Sequence, residues 1–375
     1  MTTTADTFIK IDRDKKLGDE ADVGHNRWHP DIKPVAEVEP GQVIGIETRD
    51  AFDGQFKHDT PAAEVASCNL NLVHPLTGPV HVKGAEPGDI LEVKVLEVAS
   101  QAFGFTVQVP GFGFLRDVFT EPHIIHWDIA DNFATSADLP GVKIPGAPFM
   151  GVIGTSPSHE LLEIINAREK NLLERGGAVL LPDPTDAVPS EQGIASKAVR
   201  TVAPHETGGN VDIKQLTAGT TVRLPVYAEG ALFSVGDAHF AQGDNESCGT
   251  AVEMGATFYG SFTLLKGEAK KRNITDMQFY RDDYFTSPEM AAPKRFFATT
   301  GQSWTKDGVA QSEDTTLAAR NALLNMIEYL VSERGYTEQQ AYAICSVAVD
   351  LRISEMVDVP NFVVSALLPL DIFTE

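Results

Sequence analysis

Residues 221–240 read TVRLPVYAEGALFSVGDAHF, and an Ala218-Gly219 turn stands just before them. The run alternates β-branched and apolar side chains, then ends in glycine, aspartate and histidine. Turn residues that feed a period-two apolar pattern mark a strand. The same arrangement recurs upstream, with Glu39-Pro40-Gly41 before VIGIET at 43–48 and Glu86-Pro87-Gly88 before ILEVKVLEV at 90–98. Three such units predict a mainly β chain of the α+β class. The expected core is a β-sandwich or distorted barrel built from two β-rich halves.

Outward from these strands the pattern changes. Residues 315–334 place Leu317, Ala318, Leu324, Ile327, Tyr329, Leu330 and Val331 on a helical period. Gly335 then stops the helix, and Thr337 with Gln340 three residues later spells a capping box for a second helix reaching about residue 349. The two predict a C-terminal helical hairpin. A further helix is expected over 158–175, with Ser158 as its cap and Leu161, Leu162, Ile164 and Ile165 as its apolar stripe. The chain thus divides into a polar N-terminal extension at 1–24, a first β-rich half at 25–150, a connecting segment of helix and loops at 151–205, and a second half with the hairpin at 206–375. The two halves are expected to form one catalytic unit.

Composition narrows the functions. The 375 residues carry 53 acidic against 30 basic side chains, a formal charge of -23. That balance excludes nucleic acid and anionic membranes as natural partners, and a small neutral molecule is the expected ligand. No basic region precedes an apolar run at the start, and no stretch of eighteen apolar residues occurs. Cys68, Cys248 and Cys345 are few, odd in number and widely spaced, which suits a reducing compartment, so a cytoplasmic location is expected.

The densest polar stretch is 236–250, GDAHFAQGDNESCGT. Asp237, His239, Asp244 and Glu246 fall within ten residues, with Gly243 between them to let the backbone turn. If Phe233 and Val235 face the core, strand alternation turns Asp237 and His239 inward too. Buried ionisable groups need partners, and a divalent cation satisfies an oxygen-and-nitrogen donor set of this kind. Zinc is the first choice; manganese, iron or a structural calcium suit the same donors. Gly208-Gly209-Asn210-Val211-Asp212 and Arg49-Asp50-Ala51-Phe52-Asp53 end strands in the same manner, and their rival reading is a polar turn bonded to its own backbone. In His25-Asn26-Arg27-Trp28-His29, Trp28 either lines a pocket or anchors the segment in the core. His58, His74 and His81 read as structural or solvated. Cys248, assisted by His239, raises a thiolate mechanism, against which stands a small buried hydrophobe. No phosphate loop, nucleophile elbow or CxxC pair is present.

Six blocks in order resemble the acetamidase/formamidase family: HNRWHPDIKPVAEVEPGQVIGIETRDAFDGQ at 25–55, HPLTGPVHVKGAEPGDILEVKVLEV at 74–98, GVIGTSP at 151–157, GGNVDIKQL at 208–216, ALFSVGDAHFAQGDNESCGTAVE at 231–253 and DLRISEMVD at 350–358. The HNRWHPDI opening is more similar to the formamidase branch. The resemblance implies a β-rich fold, a homo-oligomer and hydrolysis of short aliphatic amides, formamide first, to carboxylate and ammonia. The family's GDAHxxQGDGE pattern falls on Gly236, Asp237, Ala238, His239, Gln242, Gly243, Asp244 and Glu246, with Asn245 where the family commonly has glycine. Its GGNxD pattern falls on Gly208, Gly209, Asn210 and Asp212. The expected division of labour has Asp237 and His239, with Asp50 or Asp212, holding the cation and its water. Glu246 moves the proton, helped by Asp244; Asn210 or a glycine N–H stabilises the oxyanion; Gln242, Gly209 and Trp28 line the substrate site. The alternatives are a Cys248 nucleophile, or a β-rich binding protein stabilised by calcium and without activity.

Overall fold

The computed structural model describes residues 3–282 and 295–374. Two large sheets face each other. The smaller has six strands in the order Thr7–Ile9, Val43–Thr48, Ala256–Leu265, Ile90–Ser100, Thr221–Pro225 and Gln278–Tyr280. The larger runs from Lys143–Pro145 through Phe133–Thr135, His123–Ala130, Phe103–Gln108, Glu253–Met254, Phe233–His239, Phe149–Gly154 and Gly208–Asn210 to Pro204–His205. Leu76–Val82 branches from Phe233–His239 and carries Gly24–His25 and Ala36–Val38. Among the described residues neither sheet closes on itself, so the mainly β core is two facing open sheets. Ile44, Ile46, Val93 and Phe258 of one sheet share a single core with Val80, Phe233 and Val235 of the other. Phe233 meets Phe262 edge-on at 5.1 Å between ring centres.

Both sheets draw strands from before and after residues 151–205, so the two sequence halves interleave rather than pack as separate units. Residues 3–24 are likewise integral. Thr7–Ile9 pairs in parallel with Val43–Thr48, and buried Leu17 donates its N–H to the Asp53 carboxylate at 2.9 Å. A loose extension was anticipated because the segment is polar, but only its alternate side chains need to reach the core.

The long run at 221–235 breaks into two strands that lie in different sheets. Ala231 and Leu232 adopt positive φ, +58° and +55°, and turn the chain from Thr221–Pro225 into Phe233–His239. Left-handed backbone at such residues is uncommon and leaves no local signature.

The helices follow the sequence closely. His159–Glu174 is capped by Ser158, whose hydroxyl accepts from the Leu161 N–H, and buries Leu161, Leu162 and Ile165 while Ile164 faces solvent. Thr315–Arg334 ends at Gly335, φ +73°, and Glu338–Ala348 starts with the complete Thr337/Gln340 capping box. Both helices contribute to the main core, and Thr315–Arg334 covers the three-stranded sheet Phe296–Gln302, Val363–Pro369, Asp350–Glu355. Thr337→Ala deletes one cap hydrogen bond and should lower stability by about 1 kcal/mol, read from denaturant midpoints with an unchanged slope. No helix among the described residues is long and apolar enough to cross a membrane.

Candidate active site

Phe233–His239 carries the site, and its phase slips within the strand. Phe233, Val235 and Ala238 all enter the core, so the inward face passes from odd to even residues across Asp237, whose φ is +54°. This left-handed residue, rather than unbroken alternation, gives Asp237 and His239 a common exit from the core. Opposite them, on Phe149–Gly154, stands Gly151. A β-carbon there would meet Asp212 Oδ1 at 2.6 Å, Asp237 Oδ2 at 2.7 Å and His239 Cε1 at 2.8 Å. Three functional side chains therefore crowd onto a position that only hydrogen can fill.

Around His239 the acids converge. Its Nε2 lies 3.3 Å from Asp237 Oδ1, 3.2 Å from Glu253 Oε2 and 3.8 Å from Glu246 Oε1. Glu253 is brought there by strand register, since Glu253–Met254 pairs with Phe233–His239 and sets Glu253 directly across from His239. Asp212 completes a second, overlapping triad with His239 and Glu246, with donor atoms within 4.8 Å of one another. His74 approaches from the other side, its Nε2 3.9 Å from Asp237 Oδ2, while its Nδ1 bonds the Thr201 carbonyl at 3.1 Å. Two imidazoles and four carboxylates thus share one buried centre.

The hydrogen bonds fix how His239 presents itself. Gln242 donates its amide to the Asp212 carbonyl at 2.8 Å, which leaves Gln242 Oε1 to accept from His239 Nδ1–H at 2.9 Å. Nε2 is then the ring nitrogen turned to the acids. It is buried and, among the described residues, has no hydrogen-bond partner; the same holds for Asp212 Oδ1, Glu253 Oε2 and Asn210 Oδ1.

So many acids cannot all ionise at low dielectric. Burial and then the neighbouring Asp237 push Asp212 up to about 6. Burial raises Glu253 to about 8, and burial with Asp212 holds Glu246 well above the carboxylate range. Asp237 moves the other way: burial opposes its charge, but His74 and His239 together hold its carboxyl below the usual range. His239 is likewise penalised by burial and yet raised well above an ordinary imidazole by Glu253 and Asp237. A divalent cation at this centre would let these carboxylates ionise together. An imidazole nitrogen with several carboxylate oxygens is a donor set that such a cation takes. The residues present fit a metal.

Asp212, Asp237, Glu246 and Glu253 line the floor of a cavity of about 830 Å3, together with His74 and Asn210. Other anticipated residues fall elsewhere. Asp50 accepts the backbone N–H groups of Phe52 and Gly54 at 2.9 and 3.1 Å, the polar-turn reading, and burial raises it to about 6. Asp244 turns away to Gln215 Nε2 at 2.9 Å and lies 3.8 Å from Lys214 Nζ, tying down the strand at Asp350 instead. Neither carboxylate joins the His239 cluster. Trp28 is buried in a secondary core with Leu76 and Val152 and does not line the cavity, and Gly209 pairs with Ile153 in the sheet. Gln242 acts on His239 rather than on a substrate.

Asn245, at the family's glycine position, bonds the Cys345 and Val349 carbonyls and accepts from Ser247 N–H, so it anchors the second C-terminal helix. Cys248 is buried with its thiol directed at the Val107 carbonyl, and burial raises its pKa. It does not line the cavity. Cys248→Ala should leave turnover near that of the parent protein while lowering the melting temperature by a few degrees, since a small buried group is lost.

His74 and Glu253 were not anticipated. The signal for Glu253 was a lone carboxylate between Val252 and Met254 in an apolar stretch, which a buried partner must satisfy. His74, in NLVHPLTGP, gave no such cue.

Comparison with known proteins agrees in one direction. The profile described as the Acetamidase/Formamidase family matches residues 10–375. An acetamidase of Mycolicibacterium smegmatis is 36% identical over 373 aligned positions, covering 90% of this chain and 89% of that protein. A formamidase of Methylophilus methylotrophus is 36% identical over 387 positions, covering 98% and 93%. Among solved structures, a gamma lactamase from Delftia acidovorans superimposes with a TM-score of 0.91 at 37% identity, covering 98% of this chain and 94% of that one. An acetamidase from Bacillus halodurans gives a TM-score of 0.54 at 26% identity, covering 92% and 95%.

Proposed function

The chain belongs to the acetamidase/formamidase family, and from that premise we propose that the cluster on Gly151 hydrolyses a carboxylic amide to carboxylate and ammonia with the help of a divalent cation. Family membership makes the chain an amide hydrolase and sets aside the inactive calcium-stabilised binding protein. The observation that carries the metal reading is the orphaned His239 Nε2, fixed in orientation by Gln242 and faced by Asp237 and Glu253.

Those three residues would hold the cation, with Glu253 in the place anticipated for Asp50. A bound divalent cation, zinc by preference, would polarise the amide carbonyl and lower the pKa of a water to about 7. Calcium is the weaker choice because it favours oxygen donors throughout. Glu246 borders the cavity beside Asp212 and takes the proton from the attacking water. It returns that proton to the amide nitrogen as the C–N bond breaks, so ammonia departs and the acid ionises. Asn210 donates its amide to the Val202 carbonyl at 3.0 Å, and its Oδ1 has no partner among the described residues. An acceptor so placed receives an N–H of the substrate amide, so Asn210 reads the nitrogen rather than the oxyanion.

Formamide is the smallest member of this class and, with acetamide, the first substrate to assay. A second reading, opening of a cyclic amide, is favoured by the size of the cavity and by the 0.91 superposition on the gamma lactamase. Attack at the carbonyl is the same in both, and only the tether on the leaving nitrogen differs. Ammonia release from formamide and acetamide, and ring opening of a γ-lactam, test the proposal together. Turnover of at least one supports it, and a pure, metal-supplemented protein inert toward all three overturns it.

A further inference from the structure

The cavity is much larger than the chemistry on its floor requires. It encloses about 830 Å3. A water-sized group takes about 30 Å3, so formamide, with three heavy atoms, fills on the order of 90 Å3. Sites of roughly 300–1,000 Å3 are the size that buries a far larger organic ligand.

The lining also carries a large apolar share: beside the buried acids and His74, the same cavity is lined by Phe112, Phe114, Leu172, Leu173, Val179 and Leu180, which are more exposed. Phe112, Leu172, Leu173 and Leu180 are each 41–44% exposed, four large apolar side chains gathered around one opening. Isolated exposed apolar residues need no explanation, but a contiguous patch continuous with a reactive centre does. Of the charged groups on this wall, Arg200 bonds Leu70 O and Asn71 Oδ1, Arg116 bonds Gly113 O, and Glu169 lies 3.5 Å from His205 Nε2.

We propose that this apolar lining is an acyl-group subsite, and that the preferred substrates are primary amides of medium-length aliphatic or arylalkyl acids rather than formamide or acetamide. The inference rests on the amide-hydrolase reading above. An amide that releases ammonia bears its substituent on the carbonyl carbon alone. With the carbonyl at His239 and the nitrogen at Asn210, that substituent extends along the C-terminal end of the helix His159–Glu174 and the segment 178–180. Leu172 and Leu173 of that helix are then specificity-determining residues.

The test is kcat/KM for ammonia release across acetamide, butanamide, hexanamide and phenylacetamide. Each methylene that leaves water for the apolar wall should raise kcat/KM about fourfold, a gain on the order of 10²-fold from acetamide to hexanamide. Leu172→Ser with Leu173→Ser, both at exposed positions, should flatten that slope, lowering kcat/KM for hexanamide far more than for acetamide. A kcat/KM that falls with chain length in the unmodified protein overturns the subsite without any variant having to fold, as does a slope the double variant does not change. Absence of ammonia from every member is a different failure, that of the amidase reading itself.

Discussion

Glu246→Gln should lower kcat by about 10²–10⁴-fold, the range for loss of a positioned acid–base group, with little change in KM. The substitution keeps the side chain's length and its place at the cavity, where Glu246 sits at φ +48° and borders Asp212 and His239. What it removes is the proton-transfer group. Because Asp237, His239 and Glu253 are untouched, metal content should stay at the parent value. A variant that turns over at the parent rate would show that the proton travels by another route, whereas one that loses both metal and activity would make Glu246 a ligand.

Gly151→Ala should be nearly as damaging, by a different cause. The added methyl arrives 2.6–2.8 Å from Asp212, Asp237 and His239 together. Its strand is held on one side by Phe233–His239 and on the other by Gly208–Asn210, so the backbone has nowhere to retreat. The side chains must move instead, and a displacement of about 1 Å at a reacting centre costs on the order of 10²-fold in rate. Overpacking should reduce stability by roughly 1–3 kcal/mol, leaving a folded protein by circular dichroism. Full activity in this variant would mean that the three side chains are not held where they function.

The sequence made some of this legible, and the reasons for the rest are physical. Capping is local chemistry, so Ser158, Gly335 and the Thr337/Gln340 pair marked the helix ends correctly. Alternation found the strands but not where they turn, because Ala231 and Leu232 take left-handed backbone that their side chains do not announce. Asp237 and His239 were found on a phase argument that the structure replaces with a slip at Asp237. Short carboxylates in turns divide into two kinds that look alike in sequence. Asp50 and Asp244 have satisfied their oxygens on nearby N–H and amide groups, whereas Asp212 keeps an oxygen bare. Glu253 and His74 reach the centre by cross-strand register and by a long-range contact, neither of which a linear reading contains.

The most direct measurement is metal content alongside amide turnover in the purified protein, before chelation, after it, and after re-addition of the ion. The account predicts a divalent cation bound at the His239 cluster, loss of turnover when it is stripped, recovery when it returns, and no cation retained in His239→Ala. Undiminished turnover from protein that elemental analysis finds free of metal would contradict it.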